Sequence, residues 1–189
     1  MKNIDNETQR KNSSMITART AAFIDGPNIY STAKSLGFDL DYKRLLAWMK
    51  DSGQLIRASY YSVLFYDENG TCPVLPMLDW LSYNGYAVKT KDGKEYTDFN
   101  GRRKTKGDMG IEMAVDMLGM SARLDRVILF SGDSDYIPLI EAVQRQGIHV
   151  TVVSSVKTSP PMCADELRRQ ADEFIDLEDL RNDCGKKSV

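Results

Sequence analysis

Apolar residues along the chain gather into short runs separated by amphipathic stretches, which predicts strands alternating with helices. Residues 20–25 (TAAFID) read as a short buried strand, and Gly26-Pro27-Asn28 turns it into a helix, with Pro27 suited to a first helical position. Asp41 can cap a second helix, in which Leu45, Leu46, Trp48 and Met49 form an apolar stripe ended by Gly53. Residues 55–65 are rich in Tyr and Val, alternate in part, and read as a longer strand. Its Tyr60 and Tyr61 fit either the core or a stack with bases. A helix over 74–83, with Leu75, Leu78, Trp80 and Leu81 as apolar positions, precedes a strand at 86–90. Residues 108–121 are so apolar that this helix is expected to be mostly buried. The run 126–130 is a strand broken by Ser131-Gly132, and a helical pattern resumes at Ile137 and stops at Gly147. A strand at 148–154, a helix at 162–170 and an edge strand at 174–177 complete the order. Such alternation implies an α/β fold with a largely parallel, doubly wound sheet.

The chain has 189 residues, enough for one domain with tails. The domain is expected over 20–181, between a disordered tail at 1–19 and a polar tail at 182–189. Hydrophobic content of 42% and charged content of 28% suit a protein with a sizeable core. No apolar run is long enough for a membrane span, so no membrane partner is expected. Three scattered cysteines, Cys72, Cys163 and Cys184, suggest a reducing, cytoplasmic compartment. With a single His149, they exclude a structural zinc site.

A net charge of −2 means that contact with a polyanion needs a local basic patch. Residues 91–105 are the most polar internal segment, and Gly93 and Asn100-Gly101 suit a hairpin flap. Arg102, Arg103, Lys104 and the adjacent Lys106 could grip a phosphate backbone or form a solvated loop. Arg168, on the helix at 162–170, could also touch phosphate.

The chemistry concentrates in carboxylates. Asp25 ends the first strand; Asp133 and Asp135 follow the strand at 126–130 across Ser131-Gly132. In a parallel sheet, ligands sit beyond the strands' carboxyl ends. Each aspartate could cap a helix, but a pair one residue apart exceeds what a cap requires. Three acids, with Asn28 as a neutral oxygen ligand, would suit Mg²⁺ or Mn²⁺ and phosphodiester hydrolysis. Glycine-rich phosphate loops of GxGxxG or GxxxxGK[ST] type and a GxSxG elbow do not occur. A dinucleotide oxidoreductase, a P-loop NTPase and a serine hydrolase of that type are therefore disfavoured.

Phe23-Ile-Asp-Gly-Pro-Asn28, Lys106-Gly-Asp-Met, Glu112-Met-Ala-Val-Asp-Met117, Phe130-Ser-Gly-Asp-Ser-Asp-Tyr136 and Ala164-Asp-Glu-Leu-Arg-Arg-Gln-Ala-Asp172 together resemble the LabA-like branch of the NYN domain family, from about Thr20 to Leu180. The resemblance implies a PIN-like, Rossmann-like three-layer sandwich, a divalent-metal site and RNA cleavage. By position it implies metal ligation by Asp25, Asp133 and Asp135, a supporting catalytic role for Asp116, and substrate contacts from Asn28 and Ser131. RNA is the expected partner, a homodimer is compatible, and a DNA nuclease or a non-catalytic RNA-binding module are the alternatives. One departure matters: where this branch carries an aspartate after Lys106-Gly107, this chain has Gly110. On a continuous helix Asp108 and Glu112 would lie roughly 160° around the axis from residue 110, and Asp116 roughly 120°. None of them is then expected to replace the missing acid, and cleavage is expected to be impaired.

Overall fold

The computed structural model describes residues 18–97 and 103–186. Six strands form one parallel sheet: β1 (Arg19–Asp25), β2 (Gln54–Leu64), β3 (Ala87–Asp92), β6 (Arg126–Phe130), β7 (His149–Ser154) and β8 (Glu173–Asp176). Their order is β3-β2-β1-β6-β7-β8. The expected largely parallel sheet is thus parallel throughout. The chain winds outward in one direction from β1 and in the other from β6, so the crevice between these two strands is the topological switch point. A separate antiparallel hairpin pairs β4 (Lys94–Thr97) with β5 (Arg103–Lys106), as the turn residues of the polar segment predict.

Helices cover both faces. On one lie α1 (Gly26–Ser35), α2 (Tyr42–Asp51), α3 (Leu75–Tyr83) and α7 (Arg181–Cys184). They pack Ile29, Leu45, Met49 and Leu81 onto Ala22, Ile24, Tyr60, Ile128 and Phe130. On the other lie α4 (Gly110–Ser121), α5 (Ile137–Gln144) and α6 (Asp165–Gln170). They pack Met113, Met117, Ile140, Val143 and Leu167 onto Ala21, Phe23, Tyr61, Val127 and Leu129. Alternate residues of β1 and β6 serve opposite faces, as the period of a strand requires. Asp25 shares the parity of Ala21 and Phe23 and so belongs to the side of α4 and α5. Tyr60 and Tyr61 are core residues, 2% and 0% exposed, which removes them as stacking platforms.

Three expectations need correction. The helix at 108–121 begins at Gly110, and it is not mostly buried: Ile111, Val115 and Leu118 are 75%, 65% and 43% exposed. It rests on the sheet mainly through Met113 and Met117, with Ala114 and Met120 partly buried beside them, because a helix touches a flat layer along one stripe. Trp80 is an exposed position of α3 rather than a core one. The polar tail expected from residue 182 instead returns to the domain as far as Lys186. Asp41 N–H donates to the Cys184 carbonyl at 2.7 Å, Lys186 N–H donates to the Asp39 carbonyl at 2.8 Å, and Cys184 is buried. No helix among the described residues is long and apolar enough to cross a membrane.

Candidate active site

Asp25 is the last residue of β1 and the N-cap of α1, where its Oδ1 accepts from Asn28 N–H at 3.3 Å. Capping and site formation are not alternatives here. The second oxygen, Oδ2, accepts from Ser131 Oγ at 3.3 Å and from the Tyr136 hydroxyl at 3.4 Å. Asp133 repeats the arrangement across the switch point. It caps a 3₁₀ turn, Ser134–Tyr136, by accepting from Asp135 N–H at 3.0 Å, while its own N–H donates to Ser131 Oγ at 3.3 Å. One buried hydroxyl, Ser131, therefore links the acid of β1 to the acid after β6.

The turn between them tolerates only glycine. A Cβ on Gly132 would lie 1.8 Å from the Met162 carbonyl oxygen, an impossible approach. Gly132 N–H donates to Asn28 Oδ1 at 3.1 Å, and Gly132 O accepts from Ala164 N–H at 3.0 Å. Asn28 therefore locks α1 to the β6 turn, its side-chain oxygen accepting from a backbone N–H.

A pocket of about 830 Å³ opens over this junction. Asp25, Asn28, Asp108, Gly110, Asp133, Asp135 and Tyr136 all line it. Burial, aided by the neighbouring Asp133 charge, pushes the Asp25 carboxyl above the usual range against the pull of its three hydrogen bonds. Burial and the charges of Asp25, Asp133 and Asp108 push the Tyr136 hydroxyl up as well. Tyr136 thus remains a neutral donor among three carboxylates.

Several expected site residues lie elsewhere or act differently. Asp116 is absent from the pocket lining: it accepts from the Tyr61 hydroxyl at 2.8 Å and pairs with Lys89 at 3.0 Å. Glu112 likewise pairs with Lys91 at 2.8 Å, so the acidic stripe of α4 meets the lysines of β3. Ser131 is fully buried and joins two acids; it is not in position to touch substrate. Arg168 is exposed, stands 5.3 Å over the Phe174 ring and does not line the pocket. Arg102, and the side chains of Arg103, Lys104 and Lys106, lie outside the described residues.

The largest correction concerns Asp108. Because α4 starts at Gly110, Asp108 is not on its wheel at all; it precedes the helix, and its Oδ1 accepts from Gly110 N–H at 3.1 Å. Tyr136 was also legible only in retrospect: it closes the 3₁₀ turn that Asp133 opens, which returns its ring to the pocket.

The NYN domain family matches residues 19–178, nearly the whole described domain. The chain belongs to the NYN domain family. NYN domains are a PIN-like nuclease group, and the LabA-like motifs find their counterpart in a relative. The chain is 34% identical over 171 residues to the low amplitude and bright protein LabA of Synechococcus elongatus, covering 87% of each chain. In fold it is similar to a protein of unknown function from Vibrio parahaemolyticus, with a TM-score of 0.72 and 24% identity over 90% of this chain and 98% of that one.

The NYN fold raises the question of a divalent ion. Among the described residues, no group of three His, Cys, Asp or Glu side chains is gathered closely enough to hold a metal ion. What this NYN domain offers is the pair Asp25 and Asp133, with Ser131 bonded to the carboxylate of the first and the backbone N–H of the second. One or two carboxylates are what Mg²⁺ commonly takes from a protein, with waters and substrate phosphates completing its shell. The donor set is compatible with a hard cation; residue 110 itself contributes no side-chain oxygen, and the acid beside it, Asp108, accepts from the Gly110 N–H.

Proposed function

We propose that this NYN domain hydrolyses phosphodiester bonds in RNA with a divalent ion, Mg²⁺ or Mn²⁺, and that Gly110 impairs it. The observation that carries the reading is the convergence of Asp25 and Asp133, from neighbouring strands at the switch point, in one pocket. These two acids would hold the ion, with Asp135 at the exposed rim. A bound divalent ion supplies Lewis acidity, lowering the pKa of a water and offsetting charge on the phosphodiester. Ser131 and Tyr136 fix Oδ2 of Asp25, and the Asn28–Gly132 bond fixes the turn that carries Asp133. Both acids are therefore held before substrate arrives, which spares reorganisation during the reaction.

The test is cleavage of end-labelled RNA and matched DNA with Mg²⁺ or Mn²⁺, by this chain and by Asp25→Asn. Metal-dependent cleavage of RNA in preference to DNA, lost in Asp25→Asn, is expected. Equal cleavage by both proteins would overturn the reading. Gly110 favours a second one, in which the domain binds RNA without cutting it. That reading requires RNA binding by the present chain with no divalent-ion binding and no cleavage.

A further inference from the structure

The acids occupy only one end of the pocket. Its volume of about 830 Å³ matches pockets that bury molecules far larger than a phosphate, roughly 300–1,000 Å³. The other end is a trough between α4 and α5. Ile111, Ala114 and Leu118 line it from α4, at spacings of three and four that place them on one helix face. Pro138 and Ala142 line it from α5, again four apart. None of these side chains has a hydrogen-bonding group. Ala114 and Ala142 end at Cβ and keep the gap open. Ile111 and Leu118 leave aliphatic surface in water, which needs an explanation because both line one concavity, two turns apart on the same helix face.

Gly110 joins the two ends. It immediately precedes Ile111, its N–H is held by Asp108, and the Tyr136 hydroxyl is 3.9 Å from where its Cβ would stand. With no side chain there, the acid end and the trough are one continuous space.

From this continuity we infer that the trough receives the nucleobase next to the phosphodiester held at Asp25 and Asp133. The inference rests on the nuclease reading above and adds a specificity to it. Aliphatic walls bury the face of a base but cannot read its edges, and edges are what distinguish one base from another. The site therefore discriminates unpaired from paired bases and is nearly blind to which base it holds. A second copy of the chain is the other conceivable occupant. Three exposed side chains are a small part of the roughly 800 Å² per partner that a stable interface buries, and they line a cleft rather than a face.

The experiment measures binding of the full chain to four labelled probes in Mg²⁺: a uridine decamer, an adenosine decamer, a decamer of abasic ribose-phosphate, and an RNA hairpin. The uridine and adenosine decamers are expected to bind within about threefold of each other, and the hairpin and the abasic decamer about tenfold more weakly, because burying a base face contributes a transfer energy of that order. Ala142→Trp fills the trough and Ile111→Ser makes its wall polar. Each is expected to weaken binding of the uridine decamer about tenfold while leaving the abasic decamer unchanged. Ile111 is three-quarters exposed, so that variant serves even where Ala142→Trp fails to fold. Uridine and abasic decamers of equal affinity, or trough variants that bind the uridine decamer normally, overturn the inference. So does a dimer that Ile111→Ser dissociates without change in RNA affinity. With those outcomes, metal-dependent cleavage lost in Asp25→Asn still leaves the nuclease reading standing, so the two failures are told apart.

Discussion

Restoring an acid at residue 110 is the sharpest test of why this site is incomplete. A Cβ there meets Asp108 Oδ1 at 3.4 Å and the Tyr136 hydroxyl at 3.9 Å, ordinary contacts, so the backbone at 110 accepts a side chain. Its cost is electrostatic. Two carboxylates about 5 Å apart repel by roughly 3 kcal/mol at an effective dielectric constant near 20, and by less in a pocket open to water. Removing a glycine from a helix offsets about 0.5–1 kcal/mol, and an acid in the first turn offsets ~0.3–1 kcal/mol through the helix dipole. The metal-free variant should then be less stable than the present chain by about 1 kcal/mol, which lowers Tm by roughly 2–4 °C at this chain length. A divalent ion reverses the sign: at a hundred times its Kd it adds about 2.7 kcal/mol to the state that binds it. Thermal melts in chelator and in Mn²⁺ should therefore cross, with Gly110→Asp lower in the first and higher in the second. Cleavage of labelled RNA should rise at least about tenfold, the usual scale for repairing a metal environment. If Mn²⁺ raises the melting of both proteins equally and their cleavage rates coincide, residue 110 is not a wall of the site.

The raised pKa of Asp25 means that the native state holds its proton more tightly than the unfolded chain does. Stability from this group is present at low pH and lost as pH rises from the ordinary aspartate value through the raised one. Asp25→Asn should accordingly melt above the parent at pH 7, with the gap closing toward about pH 4, while losing cleavage; a lower melting point than the parent at pH 7 would refute this. Asp116→Asn should lower stability by about 1–2 kcal/mol, by weakening its bonds to Tyr61 and Lys89, and leave cleavage unchanged; lost cleavage in a stable protein would return Asp116 to the site. Arg102→Ala with Arg103→Ala should weaken RNA binding and flatten its dependence on salt, since each released phosphate contact removes about one unit from the slope. An unchanged slope would assign that hairpin to solvent.

Much of the fold was legible because the physics that builds it is local. Short continuous apolar runs such as 20–25 and 126–130 mark the buried strands, and Asp41, Asp25 and Asp133 mark starts of turns and helices that the structure confirms by hydrogen bonds from the backbone. The parts that were not legible depend on facts a helical wheel does not contain. Asp116, which the resemblance places in a supporting catalytic role, pairs with Lys89, as Glu112 pairs with Lys91, on a strand more than twenty residues away in sequence. Ser131, which the resemblance implies as a substrate contact, is buried and bonded on both sides within the turn. Asp108 was discounted by an angle that applies only within a helix, and the helix begins two residues later.

Asp116, assigned a supporting role by its position, is engaged by Tyr61 and Lys89 away from the pocket, whereas Asp25 and Asp133 are engaged by backbone N–H groups and still line it. A cap uses a carboxylate's inner lone pairs, leaving further acceptor capacity for a ligand. The same backbone N–H groups that start α1 and the 3₁₀ turn thus aim two carboxylates over the switch point. Because the cap and the site share atoms, a substitution that keeps the cap, such as aspartate to asparagine, separates folding from chemistry. One that removes it, such as aspartate to alanine, costs about 0.5–2 kcal/mol of stability and confuses the two.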